Sequence, residues 1–241
     1  MPRQKLDSPS GSRAISDSGI FHVERLKNHR EMFHVEHLPQ NIRNNLEIYK
    51  NLLLKWQKAI NLVSRGTLNN IWARHIEDSL QLIPFLRGRT VLDIGSGGGF
   101  PGMVLAIVSK NIEFLKLFGI TESFDVTCVD SDQRKMTFLS EVARQTSAKV
   151  ELVLDRIENI DGKFDTLTAR GFAELKVLIG FAKKYSNYGV FLKGKKVEQE
   201  IEDALKFFRF DYEIFNSVTE ESGRIILVYN IEDVENLQHS A

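Results

Sequence analysis

The chain contains 241 residues, of which 42% are hydrophobic and 27% are charged, and its basic and acidic side chains balance to a net charge of zero. This composition is typical of a globular protein, and because the sequence has no run of about 18 apolar residues, we expect no membrane span. A single cysteine excludes an internal disulfide, and the first residues lack the apolar segment of a secretory signal, so we expect a cytoplasmic protein.

Charge is spread unevenly along the chain. Residues 39–90 contain eight lysines and arginines against three acidic residues, whereas residues 197–241 contain three against eleven. A basic segment is compatible with a phosphate-backbone partner such as RNA. It is equally compatible with a solvated helix face that carries lysines.

The first 31 residues are rich in Ser, Arg, Asp and Asn and lack a sustained period, so we expect residues 1–31 to be a disordered extension. The segment FHVERL at 21–26 is nearly repeated as FHVEHL at 33–38, directly after Met32. We therefore hypothesise that Met32 is the natural start. The histidines of the two copies come without a framework of cysteine or carboxylate ligands, so we predict no metal site.

Residues 32–89 are predicted to form a helical N-terminal element. Apolar side chains recur every three or four residues from Asn41 to Leu62, which predicts one helix with a single buried face. A second helix is predicted over 68–85, with Thr67 as its N-cap.

A glycine-rich loop, DIGSGGGFPG at 93–102, follows a short apolar strand. Glycines can adopt positive φ and let the backbone approach a ligand closely. Positions 97–102 fit the dinucleotide pattern G-x-G-x-x-G, whereas positions 93–99 fit D-x-G-x-G-x-G, the first motif of class I methyltransferases that use S-adenosylmethionine. We favour the second pattern, because the Asp93 carboxylate can pair with the ammonium of S-adenosylmethionine but not with a pyrophosphate. A glycine turn without a ligand is the remaining alternative.

From Thr90 onward, strand and helix patterns alternate, which predicts a parallel, doubly wound α/β sheet. The predicted strands lie near 90–94, 125–130, 149–154, 164–168 and 188–193, and the predicted helices near 101–109, 132–147, 173–186 and 197–208. Two last strands at 210–218 and 223–230 are joined by a turn and form an antiparallel hairpin. This arrangement predicts a Rossmann-like class I methyltransferase domain over 90–232, followed by a tail at 233–241.

Ligands bind such sheets beyond the carboxyl ends of the strands. Asp130 ends the second strand, where a carboxylate can accept hydrogen bonds from ribose hydroxyls; the alternative is an acid that stabilises the next helix N-terminus. Residues 155–158 follow the third strand and could flank an adenine. Arg170 and Lys193 end the next two strands, and these two cations suggest an anionic partner, either a cofactor carboxylate or an RNA phosphate.

Together these stretches resemble the RsmG (GidB) family of bacterial 16S ribosomal RNA guanine-N7 methyltransferases. The matching stretches are NLVS at 61–64, RHIEDS at 74–79, DIGSGGGFPG at 93–102, DS at 130–131, RK at 134–135, FL at 138–139, RIE at 156–158, FD at 164–165, TAR at 168–170 and KG at 193–194. The most specific parts are the Gly-Phe-Pro-Gly end of the loop and the R-H-x-x-D-S helix. Two features depart from the pattern. The stretch from Gly95 to Asp130 exceeds the roughly 20 residues expected, with the excess at 109–124, and Gly171 stands where alanine is expected.

The resemblance implies S-adenosylmethionine as cofactor and N7 of a guanine, position 527 of 16S rRNA, as the methyl acceptor, in free RNA or in the small ribosomal subunit. With the loop residues included, the predicted cofactor-binding set is Asp93, Gly95, Gly97, Gly99, Phe100, Asp130, Ile157, Glu158 and Arg170. The predicted RNA contacts are Arg74, His75 and Lys193. For Arg74 and Asp78, which are four residues apart, a buried structural network is an equally weighted alternative.

The absence of certain catalytic groups from the sequence narrows the choice of methyl acceptor. Methylation of a pyrimidine carbon needs a cysteine nucleophile, and Cys128 lies inside the second predicted strand. Methylation of an exocyclic amine goes with an Asn/Asp-Pro-Pro-aromatic loop, whereas positions 168–171 read TARG. Because guanine N7 carries a free lone pair, we expect no general base, and Arg170 and Lys193 would only position the reactants. The alternatives are a non-catalytic RNA-binding or ribosome-assembly factor with the same fold and, less favoured, a nicotinamide-dependent oxidoreductase.

Overall fold

A computed structural model describes residues 38–234. Several predictions therefore lie outside the described residues. They are the disordered extension at 1–31, the start at Met32, the near-repeat at 21–26 and 33–38 up to its last residue, and the tail from residue 235 onward.

The first helix, α1 (Gln40–Trp56), carries the predicted apolar face, and Ile42, Leu46, Tyr49 and Leu53 are all buried. The prediction that it continues to Leu62 is wrong, because the chain turns after Trp56. The Gln57 side chain stabilises this turn: its Oε1 accepts the Leu62 and Val63 amides at 2.8 and 3.0 Å, and its Nε2 donates to the Val63 carbonyl at 2.9 Å. The turn leaves Leu62 beside the ends of the strands described below.

The second predicted helix is broken into four short pieces. They are a 3-10 turn at Arg65–Asn70, a π-helical turn at Trp72–Glu77, the single turn α2 (Asp78–Leu80) and a 3-10 turn at Ile83–Phe85. Thr67 is not its N-cap, because its hydroxyl donates to the Ser64 carbonyl at 2.8 Å instead. Pro84 lacks the N–H that a continuous helix requires. A π turn inside a helix frequently marks a functional site.

Seven strands form one sheet in the order β3-β2-β1-β4-β5-β7-β6. The strands are β1 (Thr90–Ile94), β2 (Asp125–Asp130), β3 (Glu151–Leu154), β4 (Thr166–Arg170), β5 (Tyr188–Lys193), β6 (Phe208–Asn216) and β7 (Arg224–Asp233). The first five in the sheet are parallel, and β7 is antiparallel to both β5 and β6. The doubly wound sheet and its C-terminal hairpin are thus confirmed. The strand order reverses at β1, which lies between β2 and β4 and opens a crevice at the carboxyl ends.

The connecting helices are α3 (Gly102–Val108), α4 (Ile112–Lys116), α5 (Gln133–Thr146), α6 (Leu175–Tyr185) and α7 (Val197–Ala204). Helix α4 fills the unusually long stretch before β2 and was not predicted. The Asn111 side chain caps it, and Phe114 and Leu115 are buried. Because the extra residues pack as a helix, β2 keeps its predicted bounds.

The start of β4 lies two residues later than predicted. Asp165 precedes the strand and binds the segment before β1, since its Oδ2 accepts the Arg89 and Thr90 amides at 2.7 and 2.9 Å. Pairing of β4 with β1 begins only at Thr166, opposite Val91.

The helices cover both faces of the sheet. On one face, α1 packs with α3 and α5 in a shared apolar core, and on the other α6 and α7 pack in a second core. The N-terminal helix is therefore part of the same core as the glycine-loop helix. Within residues 38–234, no helix is long and apolar enough to cross a membrane.

Candidate active site

The glycine loop after β1 adopts positive φ at three positions, a conformation that glycine favours. Gly95, Gly97 and Gly99 have φ values of +61°, +57° and +93°. A Cβ on Gly95 would lie 2.0 Å from the Phe172 ring, and one on Gly99 would lie 2.6 Å from the Tyr49 hydroxyl. From α1, that Tyr49 hydroxyl donates a hydrogen bond to the Gly98 carbonyl. The N-terminal helix therefore fixes the shape of the loop.

Asp93 lies behind this loop and is fully buried. Its carboxylate accepts the Gly102 amide at 3.2 Å and the Thr168 hydroxyl at 3.1 Å. Burial raises the pKa of Asp93 to about 6. Asp93 ties β1 to the start of α3 and does not line the cavity described next, in contrast to the expected charge pair with a cofactor ammonium.

A cavity of about 450 Å³ opens where β1, β2, β3 and β4 end. The members of the predicted cofactor-binding set that line it are Gly95, Gly97, Phe100, Asp130, Ile157, Glu158 and Arg170. Asp93 and Gly99 are the members that do not. Residues that the sequence analysis did not assign to the cofactor also line it, among them Leu62, Lys135 and Phe172. The sequence signal for Phe172 was an aromatic residue two positions after Arg170, the last residue of β4.

Asp130 presents its carboxylate to this cavity. Its two oxygens accept the Gly97 and Asp132 amides, each at 2.8 Å. The alternative role as a helix cap belongs to Asp132 instead, whose Oδ1 accepts the first amides of α5. A carboxylate offers about four lone-pair sites, so Asp130 keeps capacity for further donors such as ribose hydroxyls.

Arg170, at the end of β4, joins the strand ends to the π-helical turn. Its guanidinium donates to the Arg74 carbonyl at 2.9 Å, to His75 Nδ1 at 2.7 Å and to Asp78 Oδ2 at 3.3 Å. Its Cζ lies 4.9 Å from the centre of the Phe100 ring. Asp78 pairs with Arg170 rather than with Arg74, which lies four residues before it, so the network alternative describes Asp78.

His75 is buried, and its hydrogen bonds and pKa make it neutral. Because a guanidinium can only donate, Nδ1 accepts from Arg170 and Nε2 carries the proton toward Thr67 Oγ1, 2.7 Å away. Burial, Arg170 and Arg74 lower the pKa of His75 to about 3. A neutral His75 therefore joins Arg170 to Thr67 in a buried polar network.

The other two predicted RNA contacts are also paired within the protein. Arg74 contacts Glu220 at 2.6 Å. Lys193 contacts Glu200 of α7 at 2.5 Å and donates to the Ala173 carbonyl at 3.1 Å. Neither cation is free to neutralise a phosphate without first giving up a carboxylate partner.

A second cavity of about 470 Å³ adjoins the first and shares Leu62, Arg170 and Gly171 with it. Its remaining walls bring together the π-helical turn, the end of β5 and the β6–β7 turn, through residues that include Arg74, His75, Asp78, Lys193 and Glu220. All three predicted RNA contacts line this cavity. Arg170 and Gly171 thus form part of the wall of both cavities at the strand ends.

Among residues 38–234, no group of three or more His, Cys, Asp or Glu side chains could hold a metal ion.

The strand order, the glycine loop and the cavity at the switch point define a class I methyltransferase fold. The fold is similar to that of magnesium protoporphyrin IX methyltransferase from Synechocystis PCC 6803, solved with bound SAH, at a TM-score of 0.51 and 12% identity; the match covers 77% of this chain and 100% of that chain. The same enzyme solved with bound SAM matches at a TM-score of 0.51, with 80% and 99% covered.

Comparison of the sequence identifies the family within this fold class. The family model described as rRNA small subunit methyltransferase G (GidB) matches residues 42–226. Ribosomal RNA small subunit methyltransferase G of Orientia tsutsugamushi (strain Ikeda) is 38% identical over 188 residues, which cover 76% of this chain and 88% of that protein. The protein of the same name from Rickettsia felis is 36% identical over 201 residues, covering 82% and 98%. The chain belongs to the rRNA small subunit methyltransferase G (GidB) family.

Proposed function

We propose that this protein transfers a methyl group from S-adenosylmethionine to N7 of a guanine in the 16S rRNA of the small ribosomal subunit, in the cytoplasm. The observation that carries the proposal is the pair of adjoining cavities, which share Arg170 and Gly171. One cavity has the walls of a nucleoside site, and the other offers space for an acceptor beside it.

The residues of the first cavity fit S-adenosylmethionine by their chemistry. Asp130 retains lone pairs for the ribose hydroxyls, and Ile157 offers an apolar surface for the adenine. Arg170 has five N–H donors, of which three bond Arg74, His75 and Asp78, so donors remain for the methionine carboxylate. When bound, S-adenosylmethionine supplies a methyl group from a positively charged sulfur, which keeps the electron pair of the broken bond while the N7 lone pair forms the new one.

The acceptor needs no base on this chain. Guanine N7 is unprotonated in the neutral base, so the protein has to align the acceptor and exclude water. His75, which lines the second cavity, has both ring nitrogens engaged. Arg170 and Lys193 are assigned positioning roles.

For the RNA backbone, the exposed side of the first cavity offers better cations than the residues named from the sequence. A neighbouring groove is lined by Lys58, Arg65, Arg134 and Lys135 together with Asp132. Lys58 and Arg65 are exposed and have no ion-pair partner among the described residues. Cations of this kind bind phosphates by releasing counterions. We therefore assign the RNA path to this groove.

Transfer is tested with purified protein, labelled S-adenosylmethionine, and free 16S rRNA or small subunits from a strain that lacks the gene. Nucleoside mass spectrometry should find 7-methylguanosine only when the protein is added. Unchanged 7-methylguanosine in rRNA from the deletion strain would refute the function. Calorimetry separates the non-catalytic alternative, because an assembly factor that only kept the fold would show no affinity for S-adenosylmethionine.

A further inference from the structure

The second cavity contains a carboxylate that RNA backbone binding does not explain. Glu220 lies in the β6–β7 turn and lines this cavity, with 39% of its side chain exposed. Its Oε2 pairs with Arg74 at 2.6 Å, and within residues 38–234 its Oε1 accepts only a long bond from Ser222, at 3.3 Å. A carboxylate repels phosphates, so its presence in an RNA-facing cavity calls for a different ligand group.

The other carboxylate of the cavity, Asp78, is already committed to the protein. Its Oδ1 accepts from Gln81 at 2.7 Å and from Thr219 at 2.8 Å, and its Oδ2 pairs with Arg170. Glu220 is thus the carboxylate with lone pairs available. Its bond to Arg74 holds one oxygen in place, while the lone pairs of a carboxylate suffice for further donors.

Guanine presents two adjacent donors, N1–H and the N2 amine, on its Watson–Crick edge, and a carboxylate can accept from both. Adenine presents an acceptor at N1, which would repel the carboxylate. Proteins read unpaired RNA bases through such edge contacts. In guanine, N7 lies on the side of the ring system away from this edge. A base that turns N1 and N2 to Glu220 therefore turns N7 away from Glu220, and a cofactor in the adjoining cavity, which shares Arg170 and Gly171, is the methyl donor beside it.

From this geometry we infer that the second cavity is a guanine subsite in which Glu220 reads the Watson–Crick edge and Arg74 is its positioning residue. The inference rests on the proposed function, since it names how that site selects its acceptor. The carboxylate has a second effect, because methylation at N7 leaves the base positively charged. A negative group at the opposite edge stabilises that developing charge.

The test replaces the target guanosine with inosine in reconstituted small subunits. Inosine retains N7 and N1–H but lacks the N2 amine. For the unchanged protein, kcat/KM should fall about tenfold or more with inosine, the value of one hydrogen bond to a charged group. For Glu220→Gln, the rate on guanosine should fall and the guanosine-to-inosine ratio should approach one. The matched control is Glu221→Gln, an exposed neighbour outside the cavity, which should keep the full ratio.

A binding measurement separates this inference from the proposed function. With S-adenosylhomocysteine present, the affinity for guanosine-containing over inosine-containing subunits should be lowered by Glu220→Gln and kept by Glu221→Gln. Calorimetry with S-adenosylhomocysteine alone should give equal affinities for all three proteins. An unchanged guanosine preference in Glu220→Gln overturns the role of Glu220. If the unchanged protein methylates neither RNA, the proposed function fails, and the binding ratio alone decides the subsite.

Discussion

Replacing Asp93 with asparagine should remove a defined part of the pH dependence of stability. Burial raises the folded-state pKa of Asp93 from an ordinary value of 3.8 to about 6. The protonated form therefore favours the folded state, and its contribution is fully present below about pH 3.8. It is lost as the pH rises through about 6, because the buried carboxyl group then ionises.

The size of this effect follows from the shift. One pKa unit corresponds to about 1.4 kcal/mol, so a shift of roughly two units makes the ionised carboxylate cost about 3 kcal/mol at neutral pH. Asparagine is similar in shape and can still accept the Gly102 amide, while its amide group donates to the Thr168 hydroxyl. The free energy of unfolding of wild type minus that of Asp93→Asn should fall by about 2.5 kcal/mol between pH 4 and pH 7, because the rest of the roughly 3 kcal/mol is lost below pH 4.

Urea unfolding followed by circular dichroism at several pH values measures this difference directly. Other titrating groups contribute equally to both proteins and cancel. Asp161→Asn is the matched control, because Asp161 is exposed in the loop between β3 and β4 and forms no ion pair among the described residues. A constant difference between wild type and Asp93→Asn over this pH range would refute the reasoning.

Three further predictions address the loop and the RNA path. Tyr49→Phe removes the donor to the Gly98 carbonyl and should lower the free energy of unfolding by about 1–3 kcal/mol in urea titrations; an unchanged midpoint would contradict this. Gly95→Ala should abolish S-adenosylhomocysteine binding in calorimetry, since the new methyl group meets Phe172, and Gly66→Ala, with open space around it, is the control that should bind normally. The double variant Lys58→Glu, Arg65→Glu should raise KM for the subunit and flatten its salt dependence without changing cofactor affinity; an equal loss of cofactor affinity would argue for general damage instead.

The sequence predicted the sheet and the cofactor loop well because both depend on local patterns. Alternation of apolar strands and amphipathic helices gave the bounds of β1, β2 and β5 without error. The glycine spacing located the loop, because positive φ is a property of single residues. The second predicted helix failed for a different reason. Apolar spacing does not report the pairing of Thr67 and His75, which holds two turns of different pitch together.

The roles of the charged residues were harder to predict, because an ion pair depends on residues that are distant in sequence. Lys193 ends β5 as expected, but its partner Glu200 comes from α7. Arg74 is predicted to contact RNA or to join a structural network, and its partner in the fold, Glu220, lies in the hairpin turn. The position of a residue at a strand end predicts where its Cα lies. Whether its charged group is paired or open to a ligand depends on residues that are distant in sequence and lie next to it in the fold.

These distant contacts also show what the N-terminal segment adds to a common fold. From α1, Tyr49 holds the glycine loop, and His75 of the π-helical turn and Asp78 of α2 hold Arg170 between the two cavities. Leu62, which also precedes β1, lines both cavities. The second cavity is thus built by the segment before β1 together with the end of β5 and the β6–β7 turn. Acceptor selection in this family should therefore depend on substitutions before β1 and in the β6–β7 turn rather than in the glycine loop.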